Sequence, residues 1–189
     1  MASWEEFSRI VAEAKAAKKL DPVGKEDDDV DNDGDLDVVT FPVIGNFMEY
    51  HRNYAQENFG RCDTFVMQYT GGCWGHAYLN SYSNSAVLGA LCKMPVADPP
   101  YYEPQDAQHG MHSGSCMTLL DYDKDGDKEV INGDILSPTL LILYNGGDSS
   151  SANFTSQDSL YPVYDNSCTL IDFHDPSLVD INNDGKKDL

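Results

Sequence analysis

Residues 121–132 read DYDKDGDKEVIN, and the first nine positions of this stretch recur twice elsewhere in the chain. Residues 29–37 read DVDNDGDLD, and residues 180–188 read DINNDGKKD. All three windows place an oxygen-bearing side chain at positions 1, 3, 5 and 9 and a glycine at position 6. One such window is common by chance in an acidic protein, but three copies in one frame indicate a repeated structural unit.

The spacing of these side chains is typical of a calcium site. Calcium takes about six to eight oxygen ligands, and alternate side chains of a tight loop converge on one point. Glycine at position 6 lets the backbone turn back, so that the carbonyl of position 7 and the carboxylate of position 9 complete the cage. We therefore predict up to three calcium ions, with the metal-binding positions Asp29, Asp31, Asp33, Asp35, Asp37, Asp121, Asp123, Asp125, Asp127, Glu129, Asp180, Asn182, Asp184, Lys186 and Asp188.

The residues that follow the windows distinguish between calcium architectures. An EF-hand requires a bidentate Glu at position 12 and a helix after the loop. Position 12 is Thr40 in the first window and Asn132 in the second, and each of these two windows runs into a β-branched, strand-like stretch. The pattern therefore favours a loop that joins two strands. The second and third windows begin 59 residues apart, a period that fits a four-stranded propeller blade.

Net charge excludes several classes of function. The 189 residues carry 12 Lys and Arg against 32 Asp and Glu, which gives a formal charge of −20 and a pI near 4.2. A nucleic-acid binder needs a basic surface, and so does a protein held to an anionic membrane. The longest apolar runs are far shorter than the roughly 20 residues that span a bilayer. We expect no nucleic-acid partner and no membrane span.

The distribution of apolar residues predicts a mainly β chain with one N-terminal helix. Apolar side chains recur at helical spacing over residues 4–19, after a capping box at Ser3 and Glu6. Strands are predicted at Leu36–Val43, Thr64–Tyr69, Cys116–Leu120, Glu129–Ile135, Leu140–Tyr144 and Cys168–Phe173. Residues 94–113 and 148–159 are predicted to be loops because they are rich in Pro, Ser, Asn and Asp.

The cysteines indicate an oxidising compartment. Four of the five, Cys62, Cys73, Cys92 and Cys116, crowd one segment without a C-x-x-C pair, so we predict two disulfides among them. Cys168 is then the odd thiol. The N-terminus carries no secretory signal, which suggests that the chain is a fragment or a fusion.

At this point the sequence resembles the FG-GAP/VCBS family, whose repeats form integrin-type β-propeller blades. The resemblance rests on D-x-D-x-D-G-x-x-D leading into a strand, and it is best over residues 109–189. The surroundings of Cys73-Trp74-Gly75 also resemble large type IX-secreted surface proteins of Bacteroidetes-type bacteria. The resemblance implies a fragment of a β-propeller, about two blades and the start of a third. On this resemblance we expect residues 28–189 to form the repeat region, with a Cys-rich insertion at about 59–113, and residues 1–27, which do not resemble the family, to form an N-terminal helix and linker.

The resemblance implies a calcium-binding extracellular or cell-surface protein with a structural or adhesive role and no catalysis. Its ligand is expected to be an extracellular carbohydrate or protein. Trp74, Tyr78 and Tyr82 could stack on sugar rings, although aromatic residues at this density more often pack in a core. Two alternatives stay open at this stage: an accessory region of a secreted hydrolase, and a dockerin or EF-hand-like scaffold module.

Overall fold

The computed structural model describes residues 29–42, 46–80, 83–92, 115–134, 137–161 and 176–182. The prediction of a mainly β protein is confirmed for these residues, which form three antiparallel sheets. The elements are β1 (Val38–Thr40), β2 (Glu49–Asn53), α1 (Ala55–Phe59), β3 (Met67–Gly71), β4 (Ala77–Leu79), β5 (Ala86–Leu88), β6 (Ser115–Leu120), β7 (Glu129–Asp134), β8 (Leu140–Asn145) and β9 (Phe154–Tyr161). The predicted N-terminal helix and the strand at Cys168–Phe173 lie outside the described residues.

The largest sheet is a four-stranded antiparallel meander in the order β6-β7-β8-β9. Its two central strands are buried on both faces along most of their length, and β8 accordingly contains a continuous apolar run over residues 140–143. Because side chains alternate along a strand, neighbouring residues enter different clusters. Val130, Leu141 and Leu143 pack in the main core, whereas Ile131, Leu140 and Ile142 pack on the opposite face.

The main core joins this meander to two smaller sheets. Strands β1, β2 and β3 form one of them, and β4 pairs with β5 in the other. Met48, Leu79 and Phe154 are each at most 1% exposed and lie in the same cluster as Val130. Trp74 packs edge-on against Phe154, with the ring centroids 5.3 Å apart. Gly75 is required here because a Cβ at this position would lie 2.0 Å from the Phe154 ring.

The structure corrects the prediction that residues 148–159 are a loop. β9 begins at Phe154 and pairs with β8 along the edge of the meander. Only Phe154 of this strand is buried, so the sequence of β9 lacks the alternation of apolar and polar residues that predicts a strand. Strands β2, β4 and β5 and helix α1 were also not predicted, because each is short or polar.

One of the two predicted disulfides is present, between Cys73 and Cys92. The prediction of a second disulfide among these four cysteines is wrong. Cys62 is a thiol whose Sγ donates to Gln56 Oε1 at 3.3 Å, and it packs beside Gly34 of the first window. The tertiary fold therefore places Cys62 beside α1 and the first window. Among the described residues, no helix has the length and apolar character needed to cross a membrane.

Candidate metal centres

The first loop (residues 29–37) and the second loop (residues 121–129) follow the same backbone course. Position 4 has a positive φ in both, 63° at Asn32 and 67° at Lys124. Position 6 is a glycine in both, with φ of 96° at Gly34 and 98° at Gly126. Residues other than glycine rarely adopt such φ values, so the backbone conformation of the loop requires glycine at position 6. The sequence repeat is therefore also a structural repeat.

The first loop uses one oxygen of each carboxylate to hold its own backbone. Gly34 N donates to Asp29 Oδ2 at 2.9 Å, Asp33 N to Asp31 Oδ1 at 3.3 Å, and Asp35 N to Asp33 Oδ1 at 3.0 Å. Asp29 Oδ1 is buried without a hydrogen-bond partner, whereas the remaining oxygens of Asp31 and Asp33 face the Arg52 guanidinium, and ligand atoms of these three residues lie within 4.8 Å of one another. Three carboxylate oxygens thus converge on one point.

The second loop repeats these hydrogen bonds at the same positions. Gly126 N donates to Asp121 Oδ2 at 3.2 Å, Asp125 N to Asp123 Oδ1 at 3.2 Å, and Asp127 N to Asp125 Oδ1 at 3.1 Å. Asp121 Oδ1 is buried without a hydrogen-bond partner. Here the converging ligand atoms belong to Asp121, Asp123 and Glu129.

Position 9 differs between the loops. Asp37 is held on both oxygens: Oδ2 accepts from Val30 N and the Tyr50 hydroxyl, each at 3.0 Å, and Oδ1 accepts from Asn53 N at 2.8 Å. Its carboxylate therefore ties the first loop to β2. Glu129 accepts from Tyr122 N at 2.7 Å and Asn145 N at 3.3 Å, and its longer side chain also reaches the other carboxylates of its loop.

Position 7 contributes a buried carboxylate in each loop. Asp35 is 0% exposed and Asp127 is 3% exposed, and Oδ1 of each has no hydrogen-bond partner. Asp35 Oδ2 accepts from Gln56 N of α1 at 2.8 Å. A buried ionised oxygen without a partner is costly, so these two atoms fit a bound cation better than a solvated acidic turn. The sequence predicted that the backbone carbonyl of position 7 is a metal ligand. In the structure the carboxylate of position 7 offers a second oxygen ligand at that position.

Arg52 and Glu57 also belong to the first site, although no sequence motif predicted them. The Arg52 guanidinium pairs with Asp31 through Nε and with Glu57 through Nη2, and Nη2 is 3.5 Å from Asp33 Oδ2. The guanidinium also lies over the Tyr54 ring, 4.9 Å from its centroid. Glu57 places a carboxylate within 4.8 Å of Asp33 and Asp35. Both residues come from β2 and α1, which follow the first loop in the chain and fold back on it.

Burial and neighbouring carboxylates raise the pKa values of several loop residues. Burial, followed by the like charge of Asp37, raises the pKa of Asp31 to about 6 although the Arg52 guanidinium lowers it. Burial and the like charge of Asp125 raise the pKa of Asp127 to about 6, and burial raises that of Glu129 to about 7 despite its two backbone hydrogen bonds. A nearby cation acts in the opposite direction because it favours the ionised form. The loops are therefore electrostatically suited to a positive ion.

The two loops contact each other. Asn32 Nδ2 of the first loop donates to the carbonyl of Gly126 in the second, at 2.5 Å. Asn32 occupies a left-handed conformation that Asn adopts more readily than most residues. Two sites that are 92 residues apart in the sequence are thus neighbours in the fold.

The other predicted site residues are only partly described. Asp180 and Asn182 of the third loop (residues 180–188) lie within the described residues, whereas Asp184, Lys186 and Asp188 lie outside them. Of the aromatic residues considered for sugar stacking, Tyr78 packs edge-on against Phe47 with centroids 5.1 Å apart, and Trp74 packs in the core. Tyr82 lies outside the described residues.

A comparison of the chain with known family profiles, curated proteins and solved structures finds no match.

Proposed function

We propose that this chain is a calcium-binding repeat module of an extracellular protein, with a structural and adhesive role. The observation that carries the proposal is the equivalence of the first and second loops. Each holds its backbone with the same carboxylate hydrogen bonds, each brings ligand atoms of three acidic residues within 4.8 Å of one another, and each leaves Oδ1 of its position-1 residue, Asp29 or Asp121, buried without a hydrogen-bond partner. Solvated acidic turns have no reason to bury such oxygens, whereas a hard cation gives each of them a partner.

The residues present fit calcium. Asp29, Asp31 and Asp33 would hold an ion in the first loop, and Asp121, Asp123 and Glu129 would hold one in the second. Bound calcium would supply positive charge that neutralises the converging carboxylates. The third loop is proposed as a further, weaker site, because Asn182 replaces a carboxylate and Lys186 adds a positive charge.

The connection of loops to strands supports a propeller-type repeat. The second loop joins β6 to β7 within a four-stranded antiparallel meander, and this is the topology of one propeller blade. The first loop leads into β1 of the three-stranded sheet. Because a strand follows the first and the second loop, an EF-hand or dockerin module, which needs a helix there, is the weaker alternative.

The Cys73–Cys92 bridge supports an extracellular location, since disulfides persist in oxidising compartments. A module stabilised by calcium and a disulfide is suited to surface display. A carbohydrate or protein ligand is part of the proposal and follows from the family resemblance.

Isothermal titration of the full chain with calcium, after removal of bound metal by a chelator, tests the proposal. We expect at least two ions per chain, and we expect Asp29→Asn and Asp121→Asn each to remove one. These two residues form a matched pair, because both occupy position 1 and accept from the glycine of position 6. Asp63→Asn removes the same charge from an exposed ion pair outside the loops and should leave calcium binding unchanged. Absence of calcium binding in the parent chain would falsify the proposal.

A further inference from the structure

A second cluster of metal-ligating atoms lies apart from the acidic loops. It consists of Cys73, Cys92 and His76, whose ligand atoms all lie within 4.8 Å of one another. Cys92 Sγ is 3.3 Å from His76 Nδ1, while the two sulfurs are joined as a disulfide. Sulfur and imidazole nitrogen are ligands for borderline-soft ions and poor ligands for calcium. The cluster is therefore suited to a different class of metal ion from the one that suits the loops.

The backbone fixes the imidazole beside the sulfurs. His76 has a φ of 54°, an uncommon conformation for a residue with a side chain, and it follows Gly75 at 73°. His76 N donates to the Cys73 carbonyl at 3.2 Å, and Ala90 N donates to the His76 carbonyl at 2.8 Å. These bonds tie the turn to both cysteine-bearing segments. The position of the ring is thus set by the fold and does not depend on the sulfur–sulfur bond alone.

The observed spacing is close to what one metal ion requires. Zinc–sulfur and zinc–nitrogen bonds of roughly 2.3 and 2.0 Å place sulfur and nitrogen ligands roughly 3.5 Å apart on a tetrahedral ion. The Cys92 Sγ to His76 Nδ1 distance of 3.3 Å already matches this separation. The Cys73 and Cys92 Cα atoms are 5.6 Å apart, so two unbonded sulfurs can separate to the roughly 3.7 Å of a pair on zinc without a large backbone movement.

The cluster is accessible to small molecules. Cys92 and His76 are exposed and Cys73 is half-buried. All three border a cleft of about 610 Å³ that Tyr69, Trp74 and Ser151 also line. An exposed disulfide is more readily reduced than a buried structural one. Reductant, metal and a fourth ligand can all enter from this cleft.

We propose that reduction of the Cys73–Cys92 disulfide converts this cluster into a Cys₂His site for zinc. A dithiol reductant supplies two electrons and two protons, leaves as its own cyclic disulfide, and converts the bridge into two thiols. Zinc binding then releases both thiol protons, because the metal ligand is the thiolate. Cys73 Sγ, Cys92 Sγ and neutral His76 Nδ1 form three protein ligands, and water from the cleft is the fourth. In the oxidised chain the sulfurs are bonded to each other, so the site exists only after reduction.

Cobalt(II) titration is the test, because cobalt occupies zinc sites and a thiolate–cobalt charge-transfer band reports sulfur ligation. The full chain is reduced with dithiothreitol, desalted without oxygen, and titrated in excess calcium so that the acidic loops are saturated. We expect the band to saturate at one equivalent in the reduced chain and to be absent in the oxidised chain. Zinc should abolish the band by displacing cobalt.

His76→Asn separates a metal site from a pair of exposed thiols. Asn tolerates the left-handed conformation of position 76 and lacks the imidazole, so we expect this variant to keep its fold and its disulfide. We expect it to bind cobalt about tenfold or more weakly, since even the outer partners of metal ligands matter by this much. His51→Asn and Cys62→Ser are the controls, and both should keep the parent affinity. Equal affinity in His76→Asn and the parent, or a band that persists in the oxidised chain, would overturn the proposal.

Discussion

The first and second loops have the same backbone and hydrogen bonds, yet they sit in different surroundings. Asp31 and Asp33 of the first loop are half-buried beneath Arg52, while Asp123 and Asp125 at the same positions of the second loop are exposed. This difference shows that the nine-residue motif determines where the ligand atoms lie, whereas the neighbouring strands and helix determine the net charge around them. Two loops that look equivalent in sequence are therefore expected to respond differently to mutation, pH and metal.

The largest difference is expected at position 9. Asp37→Ala leaves the Val30 and Asn53 amides and the Tyr50 hydroxyl without an acceptor, and each buried unsatisfied group costs about 1–3 kcal/mol. We expect the unfolding free energy in calcium-free buffer to fall by about 3–9 kcal/mol, measured by urea denaturation. Asp31→Ala, which removes a converging ligand of the same loop, should weaken calcium binding and cost far less in that buffer. A similar loss in the two variants would show that Asp37 has no special structural role.

Both loops contain carboxylates with raised pKa values, and Glu129 of the second loop has the highest of the values given above. The pKa of Glu129 in the folded chain is about 7, above its usual value of 4.5, so between these pH values the folded state holds a proton that the unfolded state has released. Stability in calcium-depleted buffer should therefore fall as pH rises from about 4.5 to about 7. Glu129→Gln should make this dependence of the melting temperature shallower, and the remainder should come from Asp31 and Asp127, whose pKa values are also raised. A parent chain that becomes more stable over the same range without calcium would contradict the assignment.

The different surroundings of the two loops could not be predicted from the sequence. The alternating oxygens and the glycine at position 6 predicted the loop frame, because those constraints are local. Arg52, Glu57 and Tyr50 reach the first loop only after β2 and α1 fold back onto it, and no spacing in the chain announces this. The same reasoning separates β8, whose buried apolar run predicted a strand, from β9, an exposed edge strand that was not predicted.

Arg52 should make the first loop the weaker calcium site. Its guanidinium pairs with Asp31 and approaches Asp33, so an entering ion competes with it for the same carboxylates. We expect Arg52→Gln to strengthen calcium binding at the first loop about tenfold, or 1.4 kcal/mol, and to leave the second loop unchanged. Calorimetry with Asp121→Asn as the background isolates the first loop. Arg61→Gln, which removes a guanidinium from the exposed pair with Asp63, is the matched control and should change neither site.

The smallest expected effect concerns the bond between the loops. Asn32 donates to the Gly126 carbonyl, so ordering the second loop by metal should also favour the bound geometry of the first. Asn32→Gly removes this bond while easing the left-handed backbone, and Lys124→Gly eases the same backbone position in the second loop while leaving the bond intact. A net hydrogen bond is worth about 0.5–1.5 kcal/mol, so the coupling should change calcium affinity by a few-fold to about tenfold. We expect the two binding steps to become independent in Asn32→Gly and to stay coupled in Lys124→Gly, as measured by global analysis of calorimetric titrations. Coupling that survives in Asn32→Gly would mean that the loops communicate through the shared core beneath them, and the contact between their tips would then be incidental.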